Sequence, residues 1–257
     1  MAAETRPAPV LPQLRLQVLT ELRRLWRVPE FTGFTLAFPA ILYLFLGTQK
    51  GVYQGVSAHQ YVLASLATYS VVNVALFSFG VTVATERGSK IDALLRASPM
   101  RPYAPVVAKT VSALVFAVMA LAVLYAVAFL VGGVRMDLDR WLSLSWHLLL
   151  GMIPFLLMGF AFGYLSSPTA AVAVVNLVFL PMSFASGIFI PITQLPDFIQ
   201  RVGPYLPMYP LGRLAWNGVG LQYPDLWKSV LELAIWGAFF LALTLLALRL
   251  EDNRRFT

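Results

Sequence analysis

"VVAKTVSALVFAVMALAVLYAVAFLV", residues 106–131, is apolar but for a single charge, Lys109, close to its start. Such a run is long enough to cross a bilayer as a helix. About 20 apolar residues traverse roughly 30 Å of hydrocarbon, and a helix satisfies its backbone N–H and C=O groups within the segment. Residues 31–46, 58–83, 142–165, 170–190 and 229–248 read the same way. Barrel strands would instead show alternating stretches of about ten residues with a polar inner face. The composition agrees: 59% hydrophobic and 12% charged residues, with a mean hydropathy of +0.74, exceed what one soluble core can bury. The expected fold is an all-α polytopic membrane protein, a single domain with six transmembrane helices across residues 31–248. With no cysteine, it has no disulfide framework and no thiolate metal site.

The 19 Lys and Arg set the orientation, because positive charges beside short loops stay in the cytoplasm. Arg6, Arg15, Arg23, Arg24 and Arg27 precede the first span. Arg87, Lys90, Arg96 and Arg101 lie between the second and third, and Arg249, Arg254 and Arg255 follow the sixth. The remaining loops carry fewer, more scattered positive charges. Both termini, including the tail 249–257, are therefore expected in the cytoplasm. The net charge of +7 reflects this topology and attraction to anionic headgroups of the lipid bilayer; no nucleic-acid partner is expected. The chain begins without a short apolar core and small-residue cleavage site, so the first span is expected to be retained. Before it, in "LPQLRLQVLTELRRLWRVPEF", Leu11, Leu14, Val18, Leu22 and Leu25 recur at helical spacing, with Arg15, Arg23 and Arg27 elsewhere on the wheel. An amphipathic interfacial helix over 10–28 is expected, ended by Pro29. It either anchors the chain or also docks a cytoplasmic partner.

The one long cytoplasmic loop is "ERGSKIDALLRASPMRPYAP", residues 86–105. Ile91, Leu94 and Leu95 form an apolar stripe, and Glu86 with Lys90 and Asp92 with Arg96 stand at i, i+4 spacing, acid first. A short surface helix over 86–96 is expected, stopped by Pro99, Pro102 and Pro105 before Lys109 enters the third span. On pattern alone, a solvated connector accounts for this loop better than a coupling element does. Residues 191–228 are apolar yet broken by Pro191, Pro196, Pro204, Pro207, Pro210 and Pro224, so they cannot form another span. Two short helices, near 196–202 and 211–216, either dip into the outer leaflet and return or lie flat on it. Tyr205, Tyr209, Trp216, Tyr223 and Trp227 fit an aromatic belt in both cases.

Signals of chemistry are few. His59 and His147 have no metal-ligand spacing, Asp137 and Asp139 form one isolated DxD, and no P-loop is present. Within the spans, Asn73 and Asn176 read as glue between helices, and Glu232 as a boundary pair with Lys228. Pro39, Pro154 and Pro181 are expected to kink their helices, and Gly151, Gly159 and Gly163 to form a close-packing face.

Glu86, Arg87, Gly88, Leu94, Leu95, Arg96, Pro99 and Lys109 resemble the coupling-helix segment of type-2 ABC exporter permeases. "RVPEFTGFTLAFPAILYLFLG", 27–47, resembles that family's approach to its first span. "SGIFIPITQLPDFIQRVGPYLPMYPLGRLAWNG", 186–218, resembles its segment between the fifth and sixth spans. The nearest likeness in style is to daunorubicin-type multidrug permeases, with polysaccharide and lipopolysaccharide export permeases more distant. The resemblance implies an ATPase-coupling site at Glu86, Arg87, Gly88, Ile91, Leu94, Leu95 and Arg96, and an outer re-entrant gate at Pro191, Leu195, Pro196, Pro207 and Arg213. It implies an exporter in a bacterial cytoplasmic membrane, and the apolar, charge-poor lining expected from the spans suits an amphipathic drug-like or lipid-linked substrate. A second permease protomer, identical or paralogous, and a separate ATP-binding cassette subunit holding ATP and magnesium would complete it, with no cofactor on this chain. Two other classes stay open from the residues alone. An intramembrane lipid-modifying enzyme would bring Asp137, Asp139 and His147 together; an anchor or sensor subunit would bind an ATPase without transport.

Overall fold

The apolar runs all become helices in the computed structural model, which describes residues 10–27, 29–47, 51–53, 55–89 and 103–255. Helix α1 (Val10–Trp26) precedes α2 (Pro29–Leu46), and a small antiparallel hairpin, β1 (Val52–Tyr53) with β2 (Val56–Ser57), leads into α3 (Ala58–Gly88). Then follow α4 (Ala104–Leu130), α5 (Leu138–Gly151), α6 (Ile153–Leu165), α7 (Ala171–Ala185), α8 (Asp197–Val202), α9 (Met208–Gly218) and α10 (Leu226–Arg255). Among the described residues, four stretches are long and apolar enough to cross a membrane: α3, α4, the α5–α6 pair and α10 over Leu226–Leu250. The chain is a polytopic, all-helical membrane protein. The two other expected spans correspond to α2 and α7, whose apolar parts, Thr35–Leu46 and Ala171–Ala185, are shorter. At 15 residues α7 reaches only about 22 Å. It stops where Gly187 turns the chain with a φ of +76°, a conformation that a side chain would strain.

Helix α3 is the hub. Of its most apolar stretch 89% is buried, against 22% for α10, and α2, α4, α5, α6, α7 and α9 all pack on it. In lipid there is no hydrophobic gain from joining apolar helices, so close van der Waals contact at small residues must hold them. Ala64, Ala67, Ser70, Ala75 and Gly80 supply such a surface on α3. The glycine face expected on α6 meets it: a Cβ on Gly159 would stand 3.0 Å from the Ala75 carbonyl oxygen, and one on Gly163 2.7 Å from Val83 Cβ. Gly151 faces Leu211 of α9 instead. Where α6 crosses, residues Phe77–Val81 of α3 form a π-turn, which the sequence pattern does not announce. Pro154, lacking an N–H, marks the α5–α6 break at Met152, while Pro39 and Pro181 sit inside α2 and α7.

Two boundaries differ from expectation. Glu86, Arg87 and Gly88 complete α3 rather than open a separate surface helix, because nothing breaks the helical pattern after Val83. Lys90, Ile91, Asp92, Leu94, Leu95, Arg96, Pro99 and Pro102 lie outside the described residues. Residues 249–255, read as a tail, continue α10.

Candidate functional site

At the Glu86 end of α3, three helices bring buried charges together. Lys109 Nζ of α4 donates to Glu86 Oε1 at 2.5 Å and to Glu21 Oε1 of α1 at 2.8 Å. Arg24, one turn after Glu21, donates to the same Glu86 oxygen. Lys109 is 6% and Glu86 7% exposed, so each would be costly to bury alone; among the described residues, two acids and two bases balance in the cluster. The Glu86–Lys90 pair expected along one helix involves Lys90, which lies outside the described residues. Arg87 turns the other way. Its Nη1 donates to the carbonyls of Gly163 and Tyr164, both at 2.9 Å, and its guanidinium lies 5.3 Å from the Tyr164 ring. Both carbonyls lie in the last turn of α6, where intrahelical donors run out and the helix dipole favours a cation. Gly88 lies against Pro168, whose ring a Cβ there would overlap. Three consecutive residues thus tie the end of α3 to α1, α4, α6 and the α6–α7 connection.

At the Ala58 end, the segment after α7 folds back on the bundle. Pro191 opens a 3₁₀ turn closed by Leu195, and Pro196 and Pro207 precede α8 and α9, which cover the two short helices expected there. Helix α9 packs against α3, α5 and α10. Trp216 is 2% exposed: its Nε1 donates to Ser65 Oγ at 2.8 Å and its ring stacks on Tyr61 at 5.5 Å. Ser65 lies about 10 Å along α3 from Ala58. Tyr61 in turn donates to the Gly187 carbonyl at 3.2 Å. A Cβ on Gly218 would stand 3.1 Å from Leu144 Cα, so α9 approaches the α5 backbone itself. Trp216 is therefore no belt residue, whereas Tyr205 and Trp227, largely exposed, suit that role. Arg213 stands 3.8 Å from Glu232 and donates to the Pro224 carbonyl at 3.2 Å. Glu232 thus faces α9 rather than Lys228, because its side chain points across the helix packing and not along the helix edge. Burial pushes the phenolic pKa of Tyr223 and Tyr209 up.

Tyr61 and Glu86 are 25 positions apart on one helix, about 38 Å. Helix α3 is thus the element that touches both candidate regions. The buried charge cluster escaped sequence reading; its one local sign was Lys109, a lone charge just inside an apolar run, which demands a partner.

The other candidates do not assemble. His147 bonds the Ser143 carbonyl of its own helix at 2.8 Å, roughly 12 Å or more along α5 from Asp139 and Asp137, so the convergence needed for lipid chemistry is missing. Asn176 donates to Val172 within α7 at 3.0 Å instead of bridging helices.

Comparison with known proteins agrees with this architecture. The family described as "ABC-2 type transporter" matches residues 12–214, most of the chain, including the charge cluster and the second region as far as Leu214 within α9. The chain is also similar to the "Putative transport permease YvfS" of Bacillus subtilis (strain 168), 24% identical over 235 residues, covering 90% of this chain and 95% of that protein. Permeases of this kind leave ATP hydrolysis to partner ATP-binding cassette subunits and are not themselves catalytic. The chain belongs to the ABC-2 type transporter family, as a membrane permease subunit.

Proposed function

We propose that this permease is the membrane half of an ATP-driven exporter in a bacterial cytoplasmic membrane, with six spans and both termini inside. The observation that supports it is the reach of α3. One helix is keyed at its Glu86 end into α1, α4 and α6, and at its Ala58 end into the α8–α9 segment. A cassette dimer closing under residues 86–96 would push on Glu86, Arg87 and Gly88, with Ile91, Leu94, Leu95 and Arg96 as the docking stripe. The helix would carry that displacement to Tyr61 and Ser65, and so to the gate formed by Pro191, Leu195, Pro196, Pro207 and Arg213. Transmission of this kind needs a packed element with two arrangements whose populations ATP shifts through differential contacts. The π-turn at Phe77–Val81 is a place where α3 can bend between them.

Two such permeases, identical or paralogous, would enclose the path. The broad apolar exposure of α7 and α10 suits contact with lipid or a second protomer. With few charges on the helices, an amphipathic drug-like or lipid-linked substrate fits better than a sugar chain; export of polysaccharide or lipopolysaccharide is the second reading. The test is to purify the tagged chain in mild detergent and identify its companions. A stoichiometric P-loop protein, released when Ile91, Leu94 and Leu95 are made charged, supports coupling at this segment. Retained binding in that variant removes the docking assignment, and a chain isolated alone removes the ATP-driven reading.

A further inference from the structure

Helix α1 uses only one side to hold the bundle. Glu21 and Arg24 enter the charge cluster and Leu22 packs against the core. Arg23, Arg27 and Trp26 face away from the cluster; both arginines are exposed, and among the described residues neither guanidinium has a partner. Between this face and α4 lies a cavity of about 400 Å³. Leu22, Val115, Phe116 and Met119 form its apolar floor, and Arg23, Arg27 and Trp26 its rim. Arg23 and Arg27 are four residues apart, so their heads project side by side. Phe116 is two turns beyond Lys109 on α4, so the floor runs from the charged end of the bundle toward its apolar middle, about 10 Å.

The geometry points to a seat for one anionic phospholipid: its phosphate on Arg23 and Arg27, an acyl chain over Val115, Phe116 and Met119. Charge complementarity selects the occupant. Two unpaired guanidinium forks match phosphate oxygens, and their double positive charge favours a headgroup with net negative charge over a zwitterion. The floor offers only apolar contact, which a free phosphate could not use, and Trp26, 61% exposed at the rim, has the amphipathic ring that settles at headgroup depth. The bound lipid would brace α1 from the side opposite Glu86 and Lys109. The seat requires only the groove and its arginines, and stands whether or not ATP-driven export does.

Native mass spectrometry on the full chain in delipidating detergent tests this, with phosphatidylglycerol or phosphatidylcholine added and neither ATPase nor transport involved. The wild type is expected to hold one phosphatidylglycerol at about tenfold lower concentration than phosphatidylcholine. The double variant Arg23→Gln, Arg27→Gln should erase that preference; Arg23→Gln alone should weaken it, and Arg15→Gln, a change of equal charge to that single variant elsewhere on α1, should keep it. Met119→Trp, which fills the floor and leaves the arginines, should weaken both lipids; an unchanged unfolding temperature shows that each variant folds. The seat is overturned if the double variant keeps its preference or if Arg15→Gln loses as much as Arg23→Gln, the mark of diffuse surface charge. It is equally overturned if Met119→Trp binds as the wild type does, which would put the lipid elsewhere.

Discussion

Replacing Lys109 with methionine leaves Glu21 and Glu86 facing each other across a buried site in which, among the described residues, Arg24 is the remaining cation. Breaking a buried ion pair by removing one partner costs about 3–5 kcal/mol, because the stranded charge stays out of water. Glu86 is only 9% and Glu21 13% exposed in the side chain, so hydration recovers little of that. Against it stand the half-buried Leu14, Val18 and Leu22, worth about 1 kcal/mol each by half the usual burial value. The ionic hold on α1 is therefore as large as the apolar one. Losing about 3 kcal/mol should raise the opening of α1 about a hundredfold. Hydrogen exchange of the full chain in lipid nanodiscs reads this directly: peptides within 14–24 should exchange about a hundredfold faster, with α10 unchanged. Exchanging the charges, Glu86→Lys with Lys109→Glu, separates a network from a simple pair. The swap restores one contact but sets a carboxylate against Glu21 and an ammonium against Arg24, so α1 should stay loose. Acceleration of less than about threefold in Lys109→Met, or full recovery in the swap, would refute the four-residue network.

Trp216→Phe keeps the stack on Tyr61 but loses the donor to Ser65, so it should destabilise by about 1 kcal/mol, and a double-mutant cycle with Ser65→Ala, whose hydroxyl also meets Tyr61, should show the two costs to be less than additive. Gly163→Ala puts a methyl 2.7 Å from Val83 Cβ and 3.0 Å from the Phe79 carbonyl oxygen and should lower stability by about 1–3 kcal/mol; Val83→Ala, which removes only the Cγ atoms, should recover little of it, and a Gly163→Ala variant as stable as the wild type would mean that α3 and α6 do not meet there. Burial raises the folded pKa of Tyr223 and Tyr209 above the ordinary 10.0, so the folded chain keeps protons that the unfolded chain gives up. Stability from these groups is complete below about pH 10 and declines above it; Tyr223→Phe should flatten the decline in unfolding temperature, and an unaltered slope would contradict the burial.

What the sequence determined by itself is what depends on neighbours along the chain. Hydropathy runs placed the membrane helices within a few residues, since crossing lipid is a demand each segment meets alone. Proline spacing likewise set α8 and α9, and the short runs at α2 and α7 were found, although the length of α7 was overstated. The pairings were not legible, because each joins segments that only packing brings together. Glu86 takes Lys109, 23 positions on, and Arg24, 62 positions back; Glu232 had Lys228 as its neighbour in sequence but faces Arg213. Trp216 looked like one aromatic among several, yet its partner Ser65 is 151 residues away. A buried charge or indole N–H must find a partner, and the sequence can state that demand; which partner meets it depends on how glycine and alanine faces let α3, α6 and α9 approach. That choice, made in the packing, turns α3 from one apolar run among several into the helix that touches both ends of the molecule.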